Sequence, residues 1–170
     1  MWWYLFFMIP HIVYHYTYHR TTYIKSYISH ATFIHSSMMY RCFTIPVTII
    51  YFKLNYFHTW NLITWISPWY LAIPGMALGS YGTYLNYIIY KKLGIKGVYY
   101  DCEWNGYCTY VKDFPYNVLK HPMYTAACMC IVGSGLMIQF QLALCLPYAY
   151  MIGCYLFSVY SESLPRKKLE

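Results

Sequence analysis

From Met123 to Tyr160 the chain carries no Lys, Arg, Asp or Glu, and the next charge is Glu162. A soluble domain covers its surface with roughly 25% charged residues, whereas here 10% of 170 residues are charged, 59% are hydrophobic and 23% aromatic. Disorder is excluded by the same composition, because so apolar a chain collapses. The solvent that fits is a bilayer. A helix crosses ~30 Å of hydrocarbon with about 20 residues, so the length predicts an all-α, polytopic integral membrane bundle of four to five membrane helices. Met123 to Tyr160 is too long for one crossing and predicts a C-terminal helical hairpin turning at Gln139-Phe140-Gln141.

The whole chain, 1–170, divides as a single membrane domain. Residues 1–18 form an apolar N-terminal segment that crosses or re-enters, interrupted by Pro10 and carrying His11 and His15. Lacking a basic start and a small-residue cleavage site, it reads as retained and not as a signal peptide. Residues 38–57 form a span with Arg41 and Lys53 near its ends, where long side chains snorkel. Residues 66–90 form the cleanest span, ended by Lys91-Lys92. A polar loop, 91–122, precedes the hairpin, 123–160, and a tail, 161–170, follows it. Of the 12 Lys and Arg, all but Lys53 fall in 19–41, the loop or the tail. Retention of basic residues in cytosolic segments places loop and C-terminus in the cytosol. The terminal Lys167-Lys168-Leu169-Glu170 resembles the dilysine signal of endoplasmic-reticulum membrane proteins; a basic juxtamembrane tail is the plain alternative. The net charge of +7 flanks apolar spans and forms no stripe, so a nucleic-acid partner is not expected. Seven Cys without a CxxC pair predict neither a metal site nor a disulfide framework.

Three motifs follow one another before the hairpin: Leu93-Gly94-x-x-Gly97-Val98-Tyr99-Tyr100, Phe114-Pro115-Tyr116-Asn117-Val118-Leu119 and His121-Pro122-Met123-Tyr124. In this order they resemble the phospholipid N-methyltransferases, endoplasmic-reticulum enzymes that methylate phosphatidylethanolamine and its mono- and dimethyl forms with S-adenosylmethionine. The resemblance is densest from Gly79 to Tyr124 and continues to Glu162, with a weaker echo over Pro10 to Lys53. It implies a phospholipid substrate and that cofactor. It also implies cofactor contacts at a Gly-x-Gly, which falls by spacing on Ser80-Tyr81-Gly82, and at an acidic pair, which falls on Ser161-Glu162. Both are half matches. Ser80 keeps the position small, while Ser161 replaces a carboxylate.

The residues can also be read by themselves. Gly82 lacks a side chain, so a ribose or adenine could approach the backbone; equally, Ala72, Gly75, Gly79 and Gly82 form a small-residue face of the kind that packs helices. Glu162 follows a long uncharged stretch, where a carboxylate calls for a partner. A cofactor ammonium, the substrate amine and Arg166 are the candidates. Pro122 opens a helix at a position where its missing N–H costs nothing. His121 is then either the base that takes a proton from the acceptor amine or a loop-bonded structural residue. Tyr99, Tyr100, Trp104, Tyr116 and Tyr124 could face a cationic sulfonium, although an aromatic belt explains many of the 24 Tyr.

Three other readings stay open. A family scaffold without activity is motivated by Ser80 and Ser161. The isoprenylcysteine carboxyl methyltransferases share the hairpin and the His-Pro region but methylate a carboxylate. His11, His15 and His19 would line one helix face, as in membrane di-iron enzymes, yet those need about eight clustered histidines and this chain has seven in all.

Overall fold

The computed structural model describes residues 2–56, 66–106, 111–138 and 142–164. These form α1 (Trp2–Lys25), α2 (His30–Tyr56), α3 (Trp69–Val98), α4 (Asp101–Asn105), α5 (Pro122–Met137) and α6 (Leu142–Ser163). The all-helical expectation holds. The expected turn at 139–141, the partner Arg166 and the Lys167-Lys168-Leu169-Glu170 tail lie outside the described residues.

Several boundaries differ from the sequence reading. Arg41 and Lys91-Lys92 lie inside helices, because Lys and Arg are good helix formers, whereas Lys25 is the last residue of α1 and Arg20 breaks its helical geometry (φ −131°, ψ 31°). α1 and α2 are joined by a short turn at 26–29. α3 continues past Lys91-Lys92 to a break at Gly94 (φ 68°, ψ 173°), a backbone conformation open essentially to glycine alone. The loop at 91–122 is therefore partly helical. Cys102 is disulfide-bonded. Among the described residues no helix is long and apolar enough to cross a membrane. Hydroxyl- and imidazole-bearing side chains interrupt the apolar runs of the longer helices. α2 and α3 nevertheless turn large apolar side chains outward, including Ile45, Ile49, Ile50 and Leu54 on the first and Ile73 and Met76 on the second.

Two packings hold the bundle. α3 and α5 lie antiparallel and touch backbone to backbone. A Cβ added at Gly75 would lie 2.8 Å from the Gly133 carbonyl, one at Gly82 2.8 Å from the Ala126 carbonyl, and one at Gly133 2.6 Å from the Gly79 nitrogen. The small-residue face thus serves close helix packing. α1 and α6 run parallel, tied from Tyr150 Oη on the Tyr4 carbonyl (2.6 Å) to His19 Nε2 on the Ser161 carbonyl (2.8 Å). Two apolar cores fill the gaps. One gathers Tyr14, Phe33, Ile34, Ile89, Val98, Tyr99 and Trp104; the other joins Trp3, Phe52 and Met151. Trp3 stacks on Tyr51 at 4.7 Å, fixing α1 on α2.

These contacts make the glycines unequal. Gly82→Ala and Gly133→Ala each force backbone apart and should lower stability by about 1–3 kcal/mol, the usual range for overpacking. Gly79→Ala, whose Cβ meets nothing within 4 Å, should leave stability unchanged or raise it by up to about 1 kcal/mol. Thermal unfolding of the three variants measures the difference.

Candidate active site

The site is built where the two packings converge. His121 and Pro122 open α5, with Pro122 at the first helical position as its sequence context predicts. Glu162 lies in the last turn of α6. Tyr100 precedes α4 in the left-handed conformation (φ 62°, ψ 37°), which costs a non-glycine residue about 1–2 kcal/mol and aims its ring inward. His30 secures this turn from α2: its Nε2 donates to the Tyr99 carbonyl at 2.8 Å, and its ring stacks on Trp104 at 5.2 Å.

Around Glu162 the groups are close. Tyr100 Oη donates to Glu162 Oε1 at 2.9 Å, and Tyr124 Oη donates to the same oxygen. Glu162 Oε2 lies 4.0 Å from His121 Nδ1, and both side chains are largely buried, at 18% and 22% exposure. Burial first, then Tyr124 and Glu162, hold the Tyr100 hydroxyl well above its usual pKa, so it stays a donor. Burial first, then the Lys120 ammonium, lower the pKa of His121 below its usual value, so the imidazole is neutral at neutral pH. Burial pushes Tyr116 up to about 12.

Two cavities meet here. The smaller, about 260 Å³, is lined by Glu162, His121, Lys120, Glu103, Tyr116 and Tyr18 among others. The larger, about 410 Å³, lies among α1, α2, α3, α5 and α6 and is lined by Arg41, Tyr14, Asn86, Tyr90, Tyr99 and Tyr155 among others. Val98, Tyr100, Met123 and Tyr124 belong to both linings. The wall between the cavities therefore carries the two hydroxyls that hold Glu162.

The structure brings His121, Tyr124 and Glu162 together but not the other residues expected at a cofactor. Ser80 and Tyr81 are exposed on α3, and Gly82 is buried against α5; none of the three lines either cavity. The bare face of Gly82 is filled by Ala126 and Cys130. Ser161, 1% exposed, turns toward α1: its hydroxyl shares a hydrogen bond of 2.5 Å with His15 Nδ1. His11 Nδ1 meets Ser158 Oγ at 2.9 Å. The histidine face thus fastens α1 to α6, and among the described residues no three His, Cys, Asp or Glu are grouped to hold a metal. Arg41 does not snorkel from a helix end. It lies within α2, its guanidinium 5.7 Å and 5.3 Å from the ring centroids of Tyr14 and Tyr99. A charge inside an apolar run was the available signal of a role. Nothing local in the sequence announced the α1–α6 serine contacts, which join residues some 146 positions apart.

The phospholipid methyltransferase family model matches residues 70–164. Among curated proteins, phosphatidyl-N-methylethanolamine N-methyltransferase of Arabidopsis thaliana is 28% identical over 92 residues, 53% of this chain and 54% of the relative. The chain therefore spans about half the length of that relative. No solved structure matches it. The family match covers more than half of the chain and runs from α3 through the His121-Pro122 turn to Glu162, so the chain belongs to the phospholipid methyltransferase family.

Proposed function

We propose that the protein transfers a methyl group from S-adenosylmethionine to the amine of an ethanolamine phospholipid, phosphatidylethanolamine or its mono- or dimethyl form, toward phosphatidylcholine. The observation that carries this reading is the Glu162 carboxylate, which lines the smaller cavity and is held by Tyr100 and Tyr124 of the wall shared with the larger one. A methyl transfer needs donor and acceptor to approach one point from different sides, and two cavities sharing one wall provide for that. The Arabidopsis relative, named for a methylated ethanolamine phospholipid, supports the substrate class.

The smaller cavity suits the cofactor. Its carboxylates, Glu162 and Glu103, and the rings of Tyr18, Tyr116 and Tyr124 face one space, a donor set for a ligand bearing an ammonium and a cationic sulfur. Bound there, S-adenosylmethionine supplies an activated methyl group. The chain's own work is to oppose positive charge with Glu162, to exclude water with Tyr100, Met123 and Tyr124, and to take up the amine proton on neutral His121. Ser161 acts through position: its bonds to His15 and His19 hold the last turn of α6 that carries Glu162.

A membrane location is part of the proposal. The outward Ile45, Ile49, Ile50 and Leu54 support contact with lipid, and a diacyl substrate reaches the larger cavity from a bilayer. The Lys167-Lys168 tail supports the endoplasmic reticulum with a cytosolic C-terminus.

Membranes containing the expressed chain and methyl-labelled cofactor should label phospholipid. Label confined to carboxyl-methylated protein would move the assignment to isoprenylcysteine chemistry, and no label from folded protein supplied with every ethanolamine phospholipid would leave a scaffold. Glu162→Gln should weaken cofactor binding about 10- to 100-fold, the equivalent of a charged hydrogen bond, by equilibrium binding. His121→Ala should lower kcat about 10²- to 10⁴-fold. Because neutral His121 is the working form and its pKa lies below the usual value, activity in the wild type should persist below pH 6.5 and fall only at more acid pH. Lys120→Gln removes a cation beside it and should shift that acid limb upward in a pH–rate profile.

A further inference from the structure

We infer that Arg41 is the phosphate anchor of the lipid substrate, so that the larger cavity is a site for a zwitterionic headgroup with its phosphate on Arg41 and its amine toward Glu162. The inference rests on the proposed activity for the identity of the lipid, but its argument is geometric. Arg41 lies in α2, outside the stretch matched by the family. Its guanidinium lines the cavity, faces the rings of Tyr14 and Tyr99, and donates to Tyr90 Oη at 3.4 Å. Among the described residues none of the ion pairs involves it. An arginine braced by aromatic rings keeps its planar fork oriented for a bidentate anion, and phosphate fits that fork.

The opposite charge is fastened next door. Tyr99 carries Arg41 on its ring, and the following residue, Tyr100, carries Glu162 on its hydroxyl. One turn of backbone thus holds a cation lining the larger cavity and, across the wall of Tyr100 and Tyr124, a carboxylate lining the smaller one. This is the charge order of an ethanolamine phospholipid in reverse. Tails have a path as well. Ile45 lines the same cavity and is 65% exposed, and Ile49, one turn further along α2, is also exposed, so acyl chains can leave along an apolar helix face.

The test is binding of dioleoylphosphatidylethanolamine to the purified full chain in detergent micelles, with dioleoylglycerol and water-soluble phosphoethanolamine as comparison probes. The wild type should bind the phospholipid and discriminate against the glycerol lipid, and Arg41→Gln should lose about 10- to 100-fold in phospholipid affinity. In the methylation assay the same variant should raise the KM for phospholipid while leaving kcat and cofactor affinity nearly unchanged. Competition by phosphoethanolamine would show that phosphate and amine suffice; its failure would show that the anchored phosphate must belong to a lipid. Phospholipid affinity and KM unchanged in folded Arg41→Gln would overturn the inference even if the wild type methylates lipid. Arg41-dependent binding by a protein that labels no phospholipid would uphold it and overturn the activity instead. Should Arg41→Gln fail to fold, Thr44→Glu, which sets a competing carboxylate in the same cavity lining, should abolish phospholipid binding, and unchanged affinity there would also overturn it.

Discussion

The backbone contact between α3 and α5 is the constraint on which the rest depends. At Gly75, Gly82 and Gly133 the helices approach so closely that an added Cβ would meet opposing backbone at 2.6–2.8 Å, so no side chain can act as a spacer. Sliding one helix along the other would bring larger residues into the same gap. The start of α5, and with it His121 and Tyr124, is therefore fixed relative to α3. Among the described residues between them the backbone takes positive φ at Gly94, Tyr100 and Gly106.

Glu162 arrives from the other side of the molecule. Its helix is registered on α1 through His11, His15 and His19, whose partners are Ser158 and Ser161. The tyrosines that hold the carboxylate come from the α3–α4 turn and from α5. Glu162 consequently closes two independent packings at once. A side chain hydrogen-bonded by groups from separate elements retains few orientations, which is the preorganisation that charge stabilisation in an active site demands.

Helix content and the opening of α5 by His121-Pro122 were legible because each has a local or compositional cause. An uncharged run is visible in any window, and proline at a helix start is a single-residue effect. The small-residue face was legible too, as one of two roles for Gly82, but periodicity does not say whether a ligand or a helix covers a glycine. Counting back from Gly94 to Ser80-Tyr81-Gly82 met a physical obstacle: once α5 lies on Gly82, Ser80 and Tyr81 face outward. Arg41 was misplaced because a span drawn from hydropathy begins at Met38, whereas α2 begins at His30, and eight more residues of helix turn an end position into an interior one.

Ser161 shows how far a departure from a family pattern can be read physically. At this position the resemblance implies a carboxylate beside Glu162, yet the side chain here is buried and bonded to His15. A carboxylate in the same orientation would be removed from water without a fixed counter-charge, since His15 and His19 are neutral unless protonated, and such burial is costly. A hydroxyl can instead donate to or accept from a neutral imidazole without regard to charge. Serine at 161 and the histidines of α1 are thus parts of one arrangement. It leaves Glu162 as the carboxylate of the α6 terminus that faces both cavity and tyrosines, and it makes α1, outside the matched family stretch, part of what positions the site.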